Sequence, residues 1–588
     1  MMKTILTTLS WMALAGNVFA QSVVIDDPVL ISPSYRTYIS VSGNDANSGD
    51  SLSPLATFSA ALDKLNSLSG SQTGDVYGEV VFYSGTYAQQ INQPYNKYLI
   101  GTKRMNVSVR GKGAVMLDGT AITVNPGSGM ISLLGSNIHV KNLSVNYSTE
   151  NGVRFGYNYS GIVVNSHDIW IDSVDVGQTE GHGILVGIGA LNANGSSTLN
   201  PRAKRFKITH CHVHDAVNYN TPQSQWGSAI KFWNTSHNQA LNNHVHDNSG
   251  EGIDFDFCDT ALVRGNLLHD NYANVYLDKV QYAVVEKNHI YNEVKVVSGI
   301  LMGLEAFTAY VTDHYMKDIY VQNNLIHNTT GINIWQGIYS AIQNGFFTNI
   351  QIRHNTIIGK QFANGSQISL SYETFLNQPV PNVSFSNLRY ERNIISAHAD
   401  SLNNGKLLSA PLNPQPQLVT EYNLFNMNPG FGFNAASDQI VPTLQVFVDP
   451  TSDVVFELTP NVTYNPEFVM NSPNSVGLTD DFSEFARGSV NTNVGALELN
   501  EGLYVNEIDG NDMTVYPNPF NEKLTVKPPG HSDGPIIYNW YSLLGEKLDS
   551  GVLTEDAEID GAELPKGILY LELMNSNGAR QFLRLIKF

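Results

Sequence analysis

Short runs of alternating apolar and polar residues recur along most of this chain, and each ends on the same polar punctuation. The clearest copies are Asn243-His244-Val245-His246-Asp247, Asn266-Leu267-Leu268-His269-Asp270 and Asn288-His289-Ile290-Tyr291-Asn292. Others are Lys141-Asn142-Leu143, Asn324-Leu325-Ile326-His327-Asn328, Asn355-Thr356-Ile357 and Asn393-Ile394-Ile395; Ser173 and Cys211 are read as the equivalent residues of two more. Each copy follows a short strand of period two, such as Asp318-Ile319-Tyr320-Val321, and precedes turn residues and a second short strand. The closest copies lie 23 and 22 residues apart, from 243 to 266 and from 266 to 288. That unit is too short for a four-stranded propeller blade of roughly 40 residues. In a stacked solenoid the same position recurs on every coil, about 4.8 Å apart. An asparagine there can bond the amide of the next coil and the backbone of a corner, satisfying buried polar atoms. The pattern therefore predicts an all-β solenoid with Asn243, Asn266 and Asn288 in one column.

His214, His246, His269 and His327 stand three residues after the column position, with Tyr291 in the same register. They are read as one stacked face of the solenoid and not as a metal site, because no second histidine set is evident to complete one.

The ends of the chain differ from the repeat. Lys3, an apolar run from Ile5 to Ala15 and the small residues before Gln21 have the layout of a signal peptide, residues 1–20. No other stretch is long and apolar enough to span a bilayer. Acidic residues outnumber basic ones 53 to 33, a net charge of -20, which argues against nucleic acid as a partner. Only 15% of residues are charged, and Gly, Asn, Ser and Thr are abundant, as in a turn-rich β protein. Cys211 and Cys258 are too few for a disulfide framework and are read as buried thiols. A monomer is expected.

The chain resembles the right-handed parallel β-helices of the pectin-lyase-like group. The resemblance rests on the repeat and on the opening Tyr38-Ile39-Ser40-Val41-Ser42-Gly43-Asn44-Asp45, with Pro54-Leu55-Ala56-Thr57-Phe58 after it. It covers roughly residues 35–500 and implies a capping helix over 58–68. A polar linker, 501–513, precedes Val515-Tyr516-Pro517-Asn518-Pro519-Phe520; Leu564-Pro565-Lys566-Gly567 and a basic terminus, Arg584-Leu585-Ile586-Lys587, follow. Residues 514–588 are similar to the sorting domain of the type IX secretion system, which implies a small β-sandwich. It also implies engagement of that machinery and a product that is secreted or attached to the outer surface.

The second strands of successive coils align as Ile230-Lys231-Phe232-Trp233, Ile253-Asp254-Phe255-Asp256, Val275-Tyr276-Leu277-Asp278, Ile300-Leu301-Met302-Gly303 and Ile332-Asn333-Ile334-Trp335. A period of two points Ile253, Phe255 and Phe257 inward. It leaves Lys231, Trp233, Asp254, Asp256, Tyr276, Asp278 and Trp335 on one outward, solvent-facing patch. Insertions at 187–204, 216–226, 305–317 and 336–347 flank this strand and are expected to wall a cleft, with Tyr219, Trp226, Glu305, Tyr310 and Tyr315 along it.

Asp256 and Asp278 are expected roughly 5 Å apart across coils, and Asp254 and Asp256 roughly 6 to 7 Å along one strand. Carboxylates this close push one pKa up and leave an acid beside a base, the pair that glycoside hydrolysis needs. Asp254, Asp256 and Asp278 are the expected catalytic residues, with Asp278 as the acid. Lys231, Trp233, Tyr276, Glu305 and Trp335 are expected to hold a polysaccharide substrate. No cofactor is required. The alternative is a lyase in which calcium sits on the three aspartates and Lys231 is the base of a β-elimination; a third reading is a non-catalytic glycan-binding or adhesive β-helix. Polygalacturonases of this fold also use outer-face aspartates, but as an adjacent pair followed by Gly-His-Gly. Here Gly181-His182-Gly183 lies upstream, so His182 takes no role from that resemblance.

Overall fold

The computed structural model describes, in the N-terminal body, residues 25–30, 32–69, 78–88, 100–102, 107–120, 128–133, 136–146, 159–164, 167–187, 203–217, 227–293, 297–305, 313–337, 344–358, 370–374 and 383–396. Shorter stretches follow between 408 and 496, and then 514–516, 523–527, 535–542, 547–553, 557–564, 567–574 and 580–587. The expected signal peptide, 1–20, and the expected linker, 501–513, lie outside the described residues.

Each coil is three short strands. One coil comprises Ser228–Trp233, Thr235–Leu241 and His244–His246. The next comprises Glu251–Asp256, Asp259–Arg264 and Leu267–His269, and a third Val275–Asp278, Gln281–Glu286 and His289–Tyr291. Every strand pairs in parallel with its counterpart one coil on. Among the described residues the first strands join into an 11-stranded sheet, and the second and third run together in one of 22 strands. This is a parallel β-helix.

Single residues in the left-handed region turn the chain between strands. Asn234, Phe257 and Lys279 occupy one corner column, with φ of 52°, 55° and 55°. Asn242, Gly265, Lys287 and Asn323 occupy another, just before the asparagine column. Asn and Gly are favoured there because that conformation costs them least. The corner also corrects one expectation: the strand ends at Asp256, so Phe257 is not an inward residue. It sits at the turn, with the Lys279 ammonium 4.1 Å above its ring centre.

The inward columns are as the alternation predicts. Ile230, Ile253, Val275, Ile300 and Ile332 are fully buried, and the Phe232 and Phe255 rings stack with centroids 4.5 Å apart. The asparagine column is also present. Asn243 donates from its backbone and from Nδ2 to Asn266 Oδ1, at 2.9 and 3.0 Å, and Nδ2 also bonds Ile208 O at 3.0 Å. The same motif runs through Asn288, Asn324, Asn355 and Asn393 to Asn423, where Asp438 accepts in its place. Cys211 heads the ladder, its backbone N–H bonded to Asn243 Oδ1. Two earlier coils differ from the sequence reading. Asn142 and Ser173 are the left-handed corner residues, and the column position belongs to apolar Leu143 and Val174.

A helix, Phe58–Ser69, covers the N-terminal end of the solenoid. Thr57 Oγ1 accepts the Ala60 N–H and caps it, and Phe58, Ala61 and Leu65 face the core. Asp45 takes the N–H groups of Ala56 and Thr57, which ties the opening motif to the helix start. Gly43 is required because a Cβ there would lie 2.0 Å from Leu55 O.

The chain divides into two compact units, and residues 499–588 belong to the second. Its described part is antiparallel: Thr514–Tyr516, Lys523–Lys527 and Ala557–Asp560 form one sheet. Lys547–Leu553, Ile536–Ser542, Gly567–Met574 and Arg580–Lys587 form the other, and one cluster around Trp540 serves both. Lys587, the last described residue, donates to three carbonyls, of Gly561, Ala562 and Leu564, at 2.6 to 2.7 Å. No helix among the described residues is long and apolar enough to cross a membrane.

Candidate functional site

Register places the polar residues of the first-strand sheet in two adjoining columns. Lys231, Asp254, Tyr276, Leu301 and Asn333 form one; Trp233, Asp256, Asp278, Gly303 and Trp335 form the other. The residues expected as one patch therefore share one face. They do not lie open to solvent, as expected: Asp254, Asp256 and Asp278 are 1%, 7% and 2% exposed. Pointing away from the core is not the same as reaching water.

Lys231 is the centre. Its Nζ lies 2.6 Å from Asp254 Oδ2 and 3.6 Å from Asp256 Oδ2, and 5.8 Å from the Trp233 ring centre. Burial opposes its charge, but the carboxylates of Asp254, Asp256 and Glu251 outweigh burial and hold it well above the usual lysine range. The ammonium form is favoured, which weighs against the elimination base read for Lys231 from sequence. Burial, reinforced by Asp256 and opposed by Lys231, raises Asp254. The second oxygens of Asp254 and Asp256, and Trp233 Nε1, are buried with no hydrogen-bond partner among the described residues.

Asp278 is held differently. Lys279, at the left-handed corner, places its Nζ 2.6 Å from Asp278 Oδ2 inside the protein. Asp278, read from sequence as the acid, is thus held in an internal ion pair with Lys279. Tyr276 lies over the next coil, where a Cβ on Gly303 would meet its hydroxyl at 2.5 Å. Gly303 thus makes room for the ring, and Tyr276, expected to hold substrate, is 6% exposed.

Two members of the site were missed from sequence. Ser228 and Glu251 pair in register, each two residues upstream of its aligned segment. Ser228 Oγ is 2.7 Å from Asp254 Oδ2 and 3.3 Å from Glu251 Oε2. Burial, then Asp254, raises the Glu251 carboxyl to about 7. The signal was available: 228, 231 and 233 repeat as 251, 254 and 256, but the alignment began at the apolar residue. Behind Ser228, His182 Nδ1 accepts the Ser228 N–H at 2.9 Å, and its full burial lowers it to about 3. Gly183 is there for packing, since a Cβ would fall 2.6 Å from Ala229 O.

Trp335 and Glu305 are placed by backbone only. Glu305 ends the Ile300–Glu305 strand, opposite Gly337, and is not in a loop. Tyr219, Trp226 and Tyr310 lie outside the described residues. Tyr315 does not line this sheet; it belongs to Asp313–Gln322 in the 22-stranded sheet and stacks on Phe346. The three aspartates, expected to take calcium in the lyase reading, do not group as a metal site among the described residues. Both cysteines are buried thiols, and burial pushes Cys211 up to about 12.

Residues 190–387 match the family described as right handed beta helix region, and residues 514–587 match the secretion system C-terminal sorting domain. No curated protein matches in sequence. Among solved structures, a xylose complex of XylC is similar at 12% identity and a TM-score of 0.45, over 79% of this chain and 98% of that one. The pectate lyase Pel9A is similar at 14% identity and 0.36, over 80% and 98%. The catalytic domain of a GH87 α-1,3-glucanase bound to nigerose is similar at 11% and 0.43, over 69% and 66%. At such identities the likeness carries nothing about chemistry.

Proposed function

We propose that this protein, a right-handed parallel β-helix exported by its type IX sorting domain, is a glycoside hydrolase acting on an extracellular polysaccharide. The observation that carries the reading is the cluster around Lys231. A carboxyl raised to about 7 stands one serine hydroxyl away from an aspartate, and two aspartate oxygens beside it have no partner among the described residues.

Glycosidic cleavage needs one carboxyl that keeps its proton near neutral pH and one that has lost it. Glu251 fits the first role and is partly exposed. Asp254 and Asp256 supply the second, with orphaned oxygens available to a water or an anomeric carbon. Lys231 holds their orientation and opposes the burial that raises Asp254. When Glu251 is protonated, its O–H donates to Ser228 Oγ, which donates to Asp254, so the two carboxyls exchange protons through one hydroxyl. Trp233 offers a partly exposed ring edge and a buried indole N–H to a sugar. Asp278 with Lys279 braces the floor. Trp335 remains a proposed sugar-stacking residue in the same column, two coils beyond Asp278, and Glu305 a proposed substrate contact. No metal enters this reading.

The test is the full exported protein against a panel of plant and algal polysaccharides, with reducing ends and ultraviolet absorbance read in parallel. Reducing ends without an unsaturated product are expected. Asp254→Asn and Glu251→Gln each reduce the rate about a hundredfold or more, the range for acid and base roles. An unsaturated product, or both variants at full rate, defeats the proposal; binding with no product selects the adhesive reading.

A further inference from the structure

The histidine face of the solenoid holds more than one column. Beside His214, His246, His269, Tyr291 and His327 stands a second column, two residues upstream, with His212, His244 and His289. The second histidine set that sequence reading did not find is therefore present. The two columns meet diagonally between coils. His212 Nε2 lies 2.8 Å from His246 Nε2, His244 Nε2 lies 3.1 Å from His269 Nε2, and His289 Nε2 lies 2.9 Å from His327 Nε2.

The far sides of several of these rings face carboxylates. His212 Nδ1 is 2.8 Å from Asp175 Oδ1, and His246 Nδ1 is 2.7 Å from Asp247 Oδ2. The His214 and His269 Nδ1 atoms face Asp215 and Asp270 in the same way. An ionised carboxylate only accepts hydrogen bonds, so each of these Nδ1 atoms carries the proton. In a neutral ring the lone pair is then on Nε2. For His212 and His246 that sets two lone pairs against each other at 2.8 Å, and two acceptors at that distance repel. Something positive belongs between them, either an extra proton or a metal ion.

Three features favour the ion. His244 brings a third ring, and one ligand atom from each of His212, His244 and His246 lies within 4.8 Å of the others. Backing of the ligand imidazole by a carboxylate is the usual outer arrangement of metal-bound histidine. Two nitrogens bound at 2.0 to 2.1 Å across a tetrahedral ion stand roughly 3.3 Å apart, so the pair needs to open by only about 0.5 Å. The His212 side chain is 41% exposed, which gives an ion a way in from solvent.

We propose that His212, His244 and His246 bind one divalent transition ion of the zinc class, oriented by Asp175 and Asp247. His212 lies on one coil and His244 and His246 on the next, so the ion staples adjacent coils of an exported solenoid. Imidazole donors select zinc, copper or nickel over calcium and magnesium.

The experiment uses the exported chain without a polyhistidine tag, stripped with chelator and titrated with Zn²⁺ by calorimetry, with metal content read by mass spectrometry. One equivalent is expected, with a dissociation constant of about 1 µM or below and no competition from Ca²⁺. His246→Gln and the more exposed His212→Gln should each weaken binding at least a hundredfold, and Asp247→Asn about tenfold. Circular dichroism and thermal unfolding without metal confirm that each variant is folded. Zn²⁺ raises the melting temperature of the wild type and leaves that of His212→Gln unchanged. No binding tighter than about 1 mM, or binding by both histidine variants as tight as that of the wild type, overturns the site and leaves a shared proton between His212 and His246.

Discussion

Replacing Glu251 by Gln keeps the side chain's shape and its contact with Ser228, and removes one titration. In the folded protein, burial and then Asp254 lift this carboxyl from an ordinary 4.5 to about 7. A carboxyl whose pKa rises on folding binds its proton more tightly in the native state, so folding loses stability as pH rises. The loss begins near 4.5, where the unfolded chain ionises, and is complete just above 7. At about 1.4 kcal/mol for each pKa unit the gap corresponds to about 3 kcal/mol. Solvent at the partly exposed edge of the site screens part of this, leaving about 2 kcal/mol. Gln carries no such penalty. The wild type should therefore lose about 2 kcal/mol more than Glu251→Gln between pH 5 and pH 8, a difference of a few degrees in a body of this size. Scanning calorimetry of both proteins at the two pH values reads it. Parallel losses in the two proteins would refute the raised carboxyl. On the proposed hydrolase reading, the same variant should also lack the fall in rate expected of the wild type as pH rises through 7, because only protonated Glu251 would deliver a proton to the leaving oxygen.

Asn266→Ala leaves the Asn243 N–H and the Ala240 carbonyl without their buried partner. Two such groups cost about 2 to 6 kcal/mol together, so amide hydrogen exchange at Asn243 should accelerate at least thirtyfold; an unchanged rate contradicts the ladder's energetic role. Lys231→Met strands Asp254 and Asp256 without their cation and should cost about 3 to 5 kcal/mol, the range for breaking a buried pair; a melting temperature equal to wild type argues against the central lysine. Removal of residues 514–588 should leave a folded solenoid retained in the periplasm, and unchanged export of the truncated chain, followed by immunoblotting, counts against the sorting role.

The solenoid was legible in the sequence because its determinants are periodic. Asn243, Asn266 and Asn288 recur at the step of one coil, and Ile230, Ile253 and Val275 mark the inward face of every strand. Stacking turns equal spacing into contact, so register follows from counting. Where the ladder position is apolar, as at Leu143 and Val174, counting slipped by one residue, because only the polar punctuation had been followed. The outward face was legible as a direction and not as an environment. Alternation put Lys231, Asp254, Asp256, Tyr276 and Asp278 together, yet it could not say that they are buried or that Lys279 turns at a left-handed corner onto Asp278. Nor did it show that Glu251 lies one hydroxyl from Asp254. The diagonal meeting of His212 with His246 was equally hidden, since it joins different columns on different coils. Spacing along the chain fixes which residues share a column. Protonation, burial and the facing of lone pairs depend on what the neighbouring column and corner contribute, and those distances exist only once the coils are stacked.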